Sequence, residues 1–219
     1  MKREIDIDLL SGRECISTGY ADLDNLLCGG FKKGELVLIE QNSTFSETSC
    51  LALNIAQNIC AAGNGVGFIS LVDENSTLLK YMQTFWNNVE KTGECAAFTL
   101  DDEVLNLPAI RDRIKYLKGV KNAKCVFIDG IECVFDEIEH CSYTDAGDDS
   151  YVDAYICADY LQRIARSENV TIIASISSFD NSSSPHREIV YQLADIVLDT
   201  SLKELPEIRV IVKKCNHNS

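Results

Sequence analysis

The sequence predicts an α/β domain built on a mostly parallel, twisted sheet with helices on both faces. Three observations predict it. Short, almost wholly apolar runs alternate with longer segments of helical periodicity, and strands apolar on both faces belong to sheets covered by helices on each side. The chain shows no internal repeat. Its 219 residues, 46% hydrophobic and 25% charged, suffice for one domain with a sizeable core.

The elements follow in order. Residues 1–16 are a short lead-in, and residues 17–219 form the domain. Ser17-Thr-Gly-Tyr-Ala-Asp-Leu-Asp24 opens with turn and cap chemistry, and Leu23, Leu26 and Leu27 fall at helical spacing. Gly29 to Gly34 is a turn. Glu35 to Ile39 reads as a buried strand, Ser49 to Ala61 as a helix, and Gly63 and Gly65 end that helix. Val66 to Val72 is a second apolar strand. Leu78, Leu79, Met82, Phe85 and Trp86 mark a helix whose aromatics read as core. Cys95 to Leu100 is strand-like, and Asp101-Asp102 opens a loop. Leu107 to Leu117 is an amphipathic helix. Lys124 to Asp129 is a buried strand ending in an acid. Tyr151 to Ser167 is a helix, and Val170 to Ile176 is another buried strand. Residues 177–185 read as a loop. Ile196 to Leu198 and Ile208 to Val212 close the sheet.

Composition narrows the function. The 34 acids and 20 bases give a net charge of −14, which opposes a phosphate-backbone binder unless bases cluster locally. The ten cysteines include no CxxC pair. Cys50, Cys60, Cys125, Cys133 and Cys157 lie in apolar runs, so they read as reduced, buried hydrophobes. His140-Cys141 and Cys215-Asn-His217 match no zinc spacing. The N-terminus lacks the apolar core of a signal peptide. No run is long enough to span a membrane. A soluble, cytoplasmic protein is expected.

The stretch from Asn42 to Ser49 carries the chemical question. A strand, a short loop and a helix in that order are the setting of the phosphate-binding pattern G-x-x-x-x-G-K-[ST]. Here that spacing falls on Asn42, Glu47, Thr48 and Ser49, and only the last position is chemically intact. A carboxylate at 47 repels phosphate at a helix N-terminus otherwise suited to anions. Ser49 also has a plain reading as a helix cap, and Asp129 as an acid at a strand end.

Several segments together resemble the C-terminal RecA-like ATPase domain of DnaB-type replicative helicases. They are Thr18 to Asp24 with Gly29-Gly30 and Gly34-Glu-Leu-Val, then Leu51-Ala-Leu-Asn-Ile-Ala-Gln-Asn58, Phe68 to Leu71, Val126-Phe-Ile-Asp129, Gln192-Leu-Ala-Asp195-Ile-Val and Lys213-Lys-Cys-Asn216. The resemblance spans residues 17–216 and is strongest over 17–82. It implies a RecA-like P-loop NTPase fold. Recombinase and circadian-clock ATPases share this fold and a similar opening segment.

Carried across residue by residue, the resemblance implies a degenerate site. The phosphate-binding lysine falls on Thr48 and the glycine before it on Glu47. The magnesium-binding hydroxyl is kept as Ser49 and the magnesium-ordering aspartate as Asp129. The catalytic glutamate falls on Val72, with Asp73 and Glu74 beside it as substitutes in an active protein. The polar sensor falls near Ser177. The arginine finger falls on Cys215, leaving Lys213 and Lys214 as partial stand-ins. Phosphoryl transfer depends on positioning and charge stabilisation, so these losses remove most of its support. No cofactor is required on this reading, and Mg-ATP would bind weakly at best.

The family's channel loops follow the Asp129 strand. Here no Lys or Arg occurs between Lys124 and Arg163, while Glu132, Asp136, Glu137, Glu139, Asp145, Asp148, Asp149 and Asp153 fill the span. An acidic surface there opposes nucleic-acid binding. A solvated loop, a docking site for a basic partner and a DNA mimic all fit such a run. The leading expectation is a pseudo-ATPase that binds a protein partner, either helicase-like subunits or further copies of itself, with a regulatory role. The alternative is a divergent ATP-dependent helicase of DNA replication. Without the N-terminal helicase domain, the chain is not expected to be self-sufficient as a replicative helicase.

Overall fold

The computed structural model describes residues 14–41, 46–71, 95–99, 106–131, 133–134, 150–177, 185–204 and 207–217. For residues 41, 46–50, 70, 95–99, 150–153, 177, 185–187, 201–204 and 207–209 it describes the backbone alone. Among the described residues the chain runs β1 (Cys15–Ile16), α1 (Ala21–Leu26), β2 (Phe31–Lys32), β3 (Leu36–Gln41), α2 (Ser46–Ala61), β4 (Gly65–Ser70), β5 (Cys95–Thr99), α3 (Leu107–Lys121), β6 (Ala123–Asp129), α4 (Ser150–Glu168), β7 (Thr171–Ser177), α5 (Pro185–Leu193), β8 (Ile196–Glu204) and β9 (Glu207–Cys215). The expected helix around Leu78 to Trp86, the loop at Asp101-Asp102 and most of the loop at 177–185 lie outside the described residues.

Seven strands form one sheet in the order β5-β4-β6-β7-β3-β8-β9. The first six run parallel, and β9 returns antiparallel along β8. The alternation of apolar strands with helices therefore produces the expected mostly parallel sheet. β1 and β2 pair separately.

Strand residues alternate between two cores, because successive side chains point to opposite faces. Leu36, Leu38, Val126, Ile128, Ile172 and Ala174 face one cluster with α3, α4 and α5. Val37, Ile39, Cys125, Phe127, Ile173 and Leu198 face the other with α1 and α2. On that second face Phe68 and Phe127 stack with ring centroids 4.8 Å apart. Helices thus cover both faces, which is why these strands carry no polar alternation.

Local chemistry explains the helix ends. In α3, Leu107, Ile110, Ile114 and Leu117 are buried at helical spacing. The Asn106 side chain accepts from the Ala109 N–H at 2.9 Å, Pro108 sits in the first turn, and Asn122 closes the helix in the left-handed region, as N-cap and C-cap rules expect. Gly67 lets α3 approach β4: a Cβ there would lie 2.5 Å from Leu117 Cδ1.

The structure also adds features. α2 begins three residues earlier than the apolar pattern suggests, and Gly65 opens β4 rather than only closing α2. α5 has no counterpart in the sequence reading, because its nine residues follow a polar Ser-rich stretch. β8 and β9 are longer than their apolar cores and form a hairpin. Cys60 is disulfide-bonded, which departs from the expectation of reduced cysteines. Among the described residues, Cys15, Cys28, Cys125, Cys133, Cys157 and Cys215 form no disulfide.

Candidate functional site

The carboxyl edge of the parallel strands positions the residues singled out in the sequence. β3 and β7 are neighbours, yet the chain leaves β3 through α2 on one face and leaves β7 through α5 on the other. In open α/β sheets such a switch point makes the crevice where ligands bind. β3 ends at Gln41 and α2 starts at Ser46. Glu47, Thr48 and Ser49 therefore occupy the first turn of α2 at this edge. Their side chains, and the whole of Asn42, Val72, Asp73 and Glu74, lie outside what the structure describes.

Asp129 ends β6 at the same edge. Ser175 on β7 holds it, donating from Oγ to Asp129 Oδ1 at 2.8 Å. The same Oγ accepts from the Gly130 N–H at 2.9 Å, and the Ile131 N–H donates to the Ser175 carbonyl. β7 lies between β6 and β3, so Asp129 stands two strand spacings, roughly 9.5 Å, from the β3 end. The structure thus brings Asp129 and the start of α2 to one edge of the sheet. Ser177 faces the same edge by register with Gln41.

Sequence reasoning missed a second acidic group there. Glu40, the penultimate residue of β3, has a fully buried side chain, at 0% exposure. Its Oε2 and Asp199 Oδ2 each lie 2.7 Å from Lys213 Nζ. The Thr200 hydroxyl donates to the Glu40 carbonyl at 2.9 Å. A lone Glu at the end of an apolar strand was the available signal, since burying a carboxylate requires a partner. Among the described side chains, the edge near β3 thus carries Glu40, Asp129 and Asp199 against Lys213. That balance favours cations over phosphates.

The two lysines expected to stand in for the arginine finger are engaged within the fold. Lys213 bridges Glu40 and Asp199. Lys214 donates to the carbonyls of Tyr191, Gln192 and Ala194, capping the C-terminus of α5, where a cation is favoured. Burial lowers the Lys214 pKa, and Asp195 opposes that shift. Cys215 pairs with Ile196 at the start of β8, far from the carboxyl edge, and burial raises its thiol pKa. Both ammonium groups are bonded to acceptors in the same chain, Lys213 to Glu40 and Asp199 and Lys214 to the end of α5.

The other family-like segments are structural. Asp24 Oδ1 accepts from the Thr18 N–H and hydroxyl, each at 2.8 Å. Asn58 donates to the Thr18 carbonyl at 3.0 Å. Gly19, at φ +79°, leaves room for Asn58, which a Cβ would meet at 2.4 Å. Asp195 accepts from the Leu36 N–H at 3.0 Å and from Arg166 at 3.3 Å. His217 lies between the Leu27 carbonyl, 2.6 Å away, and Glu35 Oε1, 2.7 Å away, and ties the chain end to α1 and β3.

Among the described residues, no group of His, Cys, Asp and Glu is placed to hold a metal ion, and no helix is long and apolar enough to cross a membrane. Asp129 alone of the expected magnesium pair has a described side chain, and a carboxylate at this edge suits magnesium.

Comparison with known proteins agrees with this architecture. The family model of the DnaB-like helicase C terminal domain matches residues 15–182. The replicative DNA helicase DnaB of Rickettsia conorii (strain ATCC VR-613 / Malish 7) is 26% identical over 152 residues, covering 54% of this chain and 30% of that protein. The chain therefore spans less than a third of that curated relative. A solved structure of an ATPase domain superposes with a TM-score of 0.69 at 17% identity, covering 97% of this chain and 88% of the other. At that identity the likeness concerns the fold.

Proposed function

The chain belongs to the DnaB-like helicase C-terminal domain family, and from that premise we propose that it acts as a non-catalytic, protein-binding subunit on a RecA-like scaffold. The observation that carries the proposal is the internal use of Lys213 and Lys214. An ATPase of this type needs mobile positive charge where the transferred phosphoryl group develops charge. Here Thr48 and Glu47 replace the loop's lysine and glycine, and Val72 and Cys215 replace the base and the finger. The remaining cations at the C-terminal hairpin stabilise the fold instead. On this reading the partner is a helicase-like subunit or a further copy of this chain, in the cytoplasm, and the likeness to a replicative DNA helicase supports that choice. No cofactor is required.

The test is turnover and binding of Mg-ATP. The expected result is phosphate release at background, unchanged by Asp129→Asn. Turnover that Asp129→Asn abolishes would overturn the proposal. A second reading, a divergent ATPase of DNA replication, is favoured by one observation. Ser175 still orients Asp129 beside the start of α2. On that reading Ser49 and Asp129 hold magnesium and Asp73 or Glu74 acts as base. A thermal shift with millimolar Mg-ATP, lost in Asp129→Asn, supports it, and no shift removes it.

A further inference from the structure

Two cysteines distant in sequence come to one corner of the amino edge of the sheet, opposite the edge that carries Asp129. Cys28 lies in the turn between α1 and β2 and is exposed. Cys215 ends β9 and packs, partly buried, against the core of the second face. β9 delivers its end there by pairing Cys215 with Ile196 at the start of β8. Two residues on, the His217 ring lies 2.6 Å from the Leu27 carbonyl and 2.7 Å from Glu35 Oε1. Leu27 precedes Cys28, so this contact joins the Cys215 end of the chain to the Cys28 turn. The two thiols also act on each other. Burial raises the Cys215 pKa, the His217 N–H opposes that rise, and Glu35 and the Cys28 thiol add to it. Such an influence needs the groups to be close, because charge effects are screened with distance.

The backbone at Cys28 is unusual as well. Its φ of +52° lies in the left-handed region, which is strained for a residue with a Cβ. Among the described residues, the other non-glycines with positive φ are Asn122 and Asn169, and Asn tolerates that region. A glycine at position 28 would make the turn without strain. Strain kept where a smaller residue would relieve it points to a use for the side chain. Gly29 and Gly30 follow at φ +110° and +113°, so the turn has the backbone freedom to bring its thiol to bonding distance. Cys15 of β1 flanks the same turn: a Cβ on Gly29 would lie 3.6 Å from Cys15 Sγ.

We propose that Cys28 and Cys215 form a thiol–disulfide exchange site, with Cys28 as the attacking thiol toward a low-molecular-weight disulfide such as oxidised glutathione and Cys215 as the resolving thiol. The Cys28 thiolate attacks one glutathione sulfur, the glutathione S–S bond breaks, and one glutathione leaves as thiolate. Cys215 then gives its proton to water and attacks Cys28 Sγ. The mixed disulfide breaks, the second glutathione leaves, and the Cys28–Cys215 bond remains. Two electrons pass from the two cysteines to the glutathione disulfide, which ends as two thiols. Cys28 attacks first because it is exposed, and access governs such reactions. The product fixes the end of β9 to the α1–β2 turn covalently, where His217 holds it by hydrogen bonds. In a reducing compartment such a pair forms transiently and reports redox state. The site does not rest on whether nucleotide binds.

Oxidised glutathione added to the full native chain at pH 8 tests this by mass spectrometry without reduction, so the Cys60 disulfide stays in place throughout. Trypsin releases Glu14–Lys32, which carries Cys15 and Cys28, and Cys215–Ser219. Wild type is expected to yield these two peptides linked, with fragmentation placing the bond at Cys28. Its Tm should rise by roughly 5–10 °C, because the bond closes a long loop in the unfolded chain. Cys215→Ser should accumulate a glutathione adduct on Cys28 and show no such rise. Cys28→Ser should show neither link nor rise, and Cys15→Ser should behave as wild type. Circular dichroism before oxidation confirms that each serine variant is folded. Glutathione adducts on Cys28 and Cys215 without a link overturn the proposal. A bond between Cys15 and Cys28 overturns it too, as does a link that survives in Cys28→Ser.

Discussion

Replacing Lys213 with Met removes the cation between Glu40 and Asp199 while keeping the aliphatic stem. Glu40 is fully buried and Asp199 is 11% exposed, whereas Lys213 is 35% exposed. Truncating one partner of a buried pair costs about 3–5 kcal/mol, because a charge stays buried without its counterpart. Water reaching the Lys213 position lowers that, so about 3 kcal/mol is expected. For a domain of this size each kcal/mol moves the Tm by about 2–4 °C, giving a fall of roughly 6–12 °C by calorimetry or circular dichroism. Glu40→Gln in the same background removes one uncompensated charge and should recover about half of the fall. A Tm within about 1 °C of wild type would refute the reasoning, because the buried carboxylates would then not need the Lys213 charge. The same variant bears on function. If Lys213 acts in phosphoryl transfer, turnover falls in Lys213→Met and stays low when Glu40→Gln restores stability.

Further outcomes follow from burial and packing. Burial pushes the Cys125 and Cys157 thiols up to about 12, so iodoacetamide at pH 8 should modify exposed Cys28 within minutes and leave those two intact, as mass spectrometry of the native protein would show. The Lys124 and Lys33 ammonium groups lower the Glu14 carboxyl from the usual value to about 2. Its folded pKa lies below its unfolded value, so its contribution to stability is present above about pH 4.5 and lost as pH falls toward 2. Carbon-13 titration of Glu14 should show an apparent pKa that rises toward the ordinary value in Lys124→Met or at high salt. Gly67→Ala should destabilise the protein by about 1–3 kcal/mol through overpacking, because the added Cβ meets Leu117, which is 0% exposed and has no room to withdraw. Unchanged melting in Gly67→Ala would mean that α3 shifts off β4.

Much of the fold was legible because burial writes itself into residue type. β3, β4, β6 and β7 are apolar on both faces since helices cover both, and α3 shows its buried stripe at Leu107, Ile110, Ile114 and Leu117. The hairpin extensions of β8 and β9 were not legible. Only the parts above the core are apolar, and the remainder is held by backbone pairing that side chains do not record. α5 was hidden for a similar reason: Val190 is its fully buried residue among those described, and Lys214, well downstream, supplies its C-terminal cap. Spacing singled out Asp129 and the start of α2, which the sheet order brings to one edge. It did not single out Ser175 and the Glu40–Lys213–Asp199 group, since their partners are distant in sequence and meet only through the sheet order.

That division bears on what the family likeness means. Thr18 and Asp24 clip the opening turn, Gly19 admits Asn58, Asp195 pins β3, and Lys214 closes α5. Each lies in a segment that resembles the family, and each holds the fold together. On the proposed reading, the sequence departs from the family at Glu47, Thr48, Val72 and Cys215, the positions that would hold phosphate or complete the chemistry. A chain under pressure to keep only its stability would retain the first set and drift at the second. Fold-holding matches therefore support family membership and a RecA-like scaffold while carrying no weight for catalysis, since function resides in sites rather than in folds. Asp129 is where the two sets meet, because its bond to Ser175 serves the sheet edge and its carboxylate stands at the edge where α2 begins. If Asp129→Asn lowers stability without altering any response to Mg-ATP, the residue belongs with the scaffold. If it removes a nucleotide-dependent response at unchanged stability, the catalytic lineage survives in it.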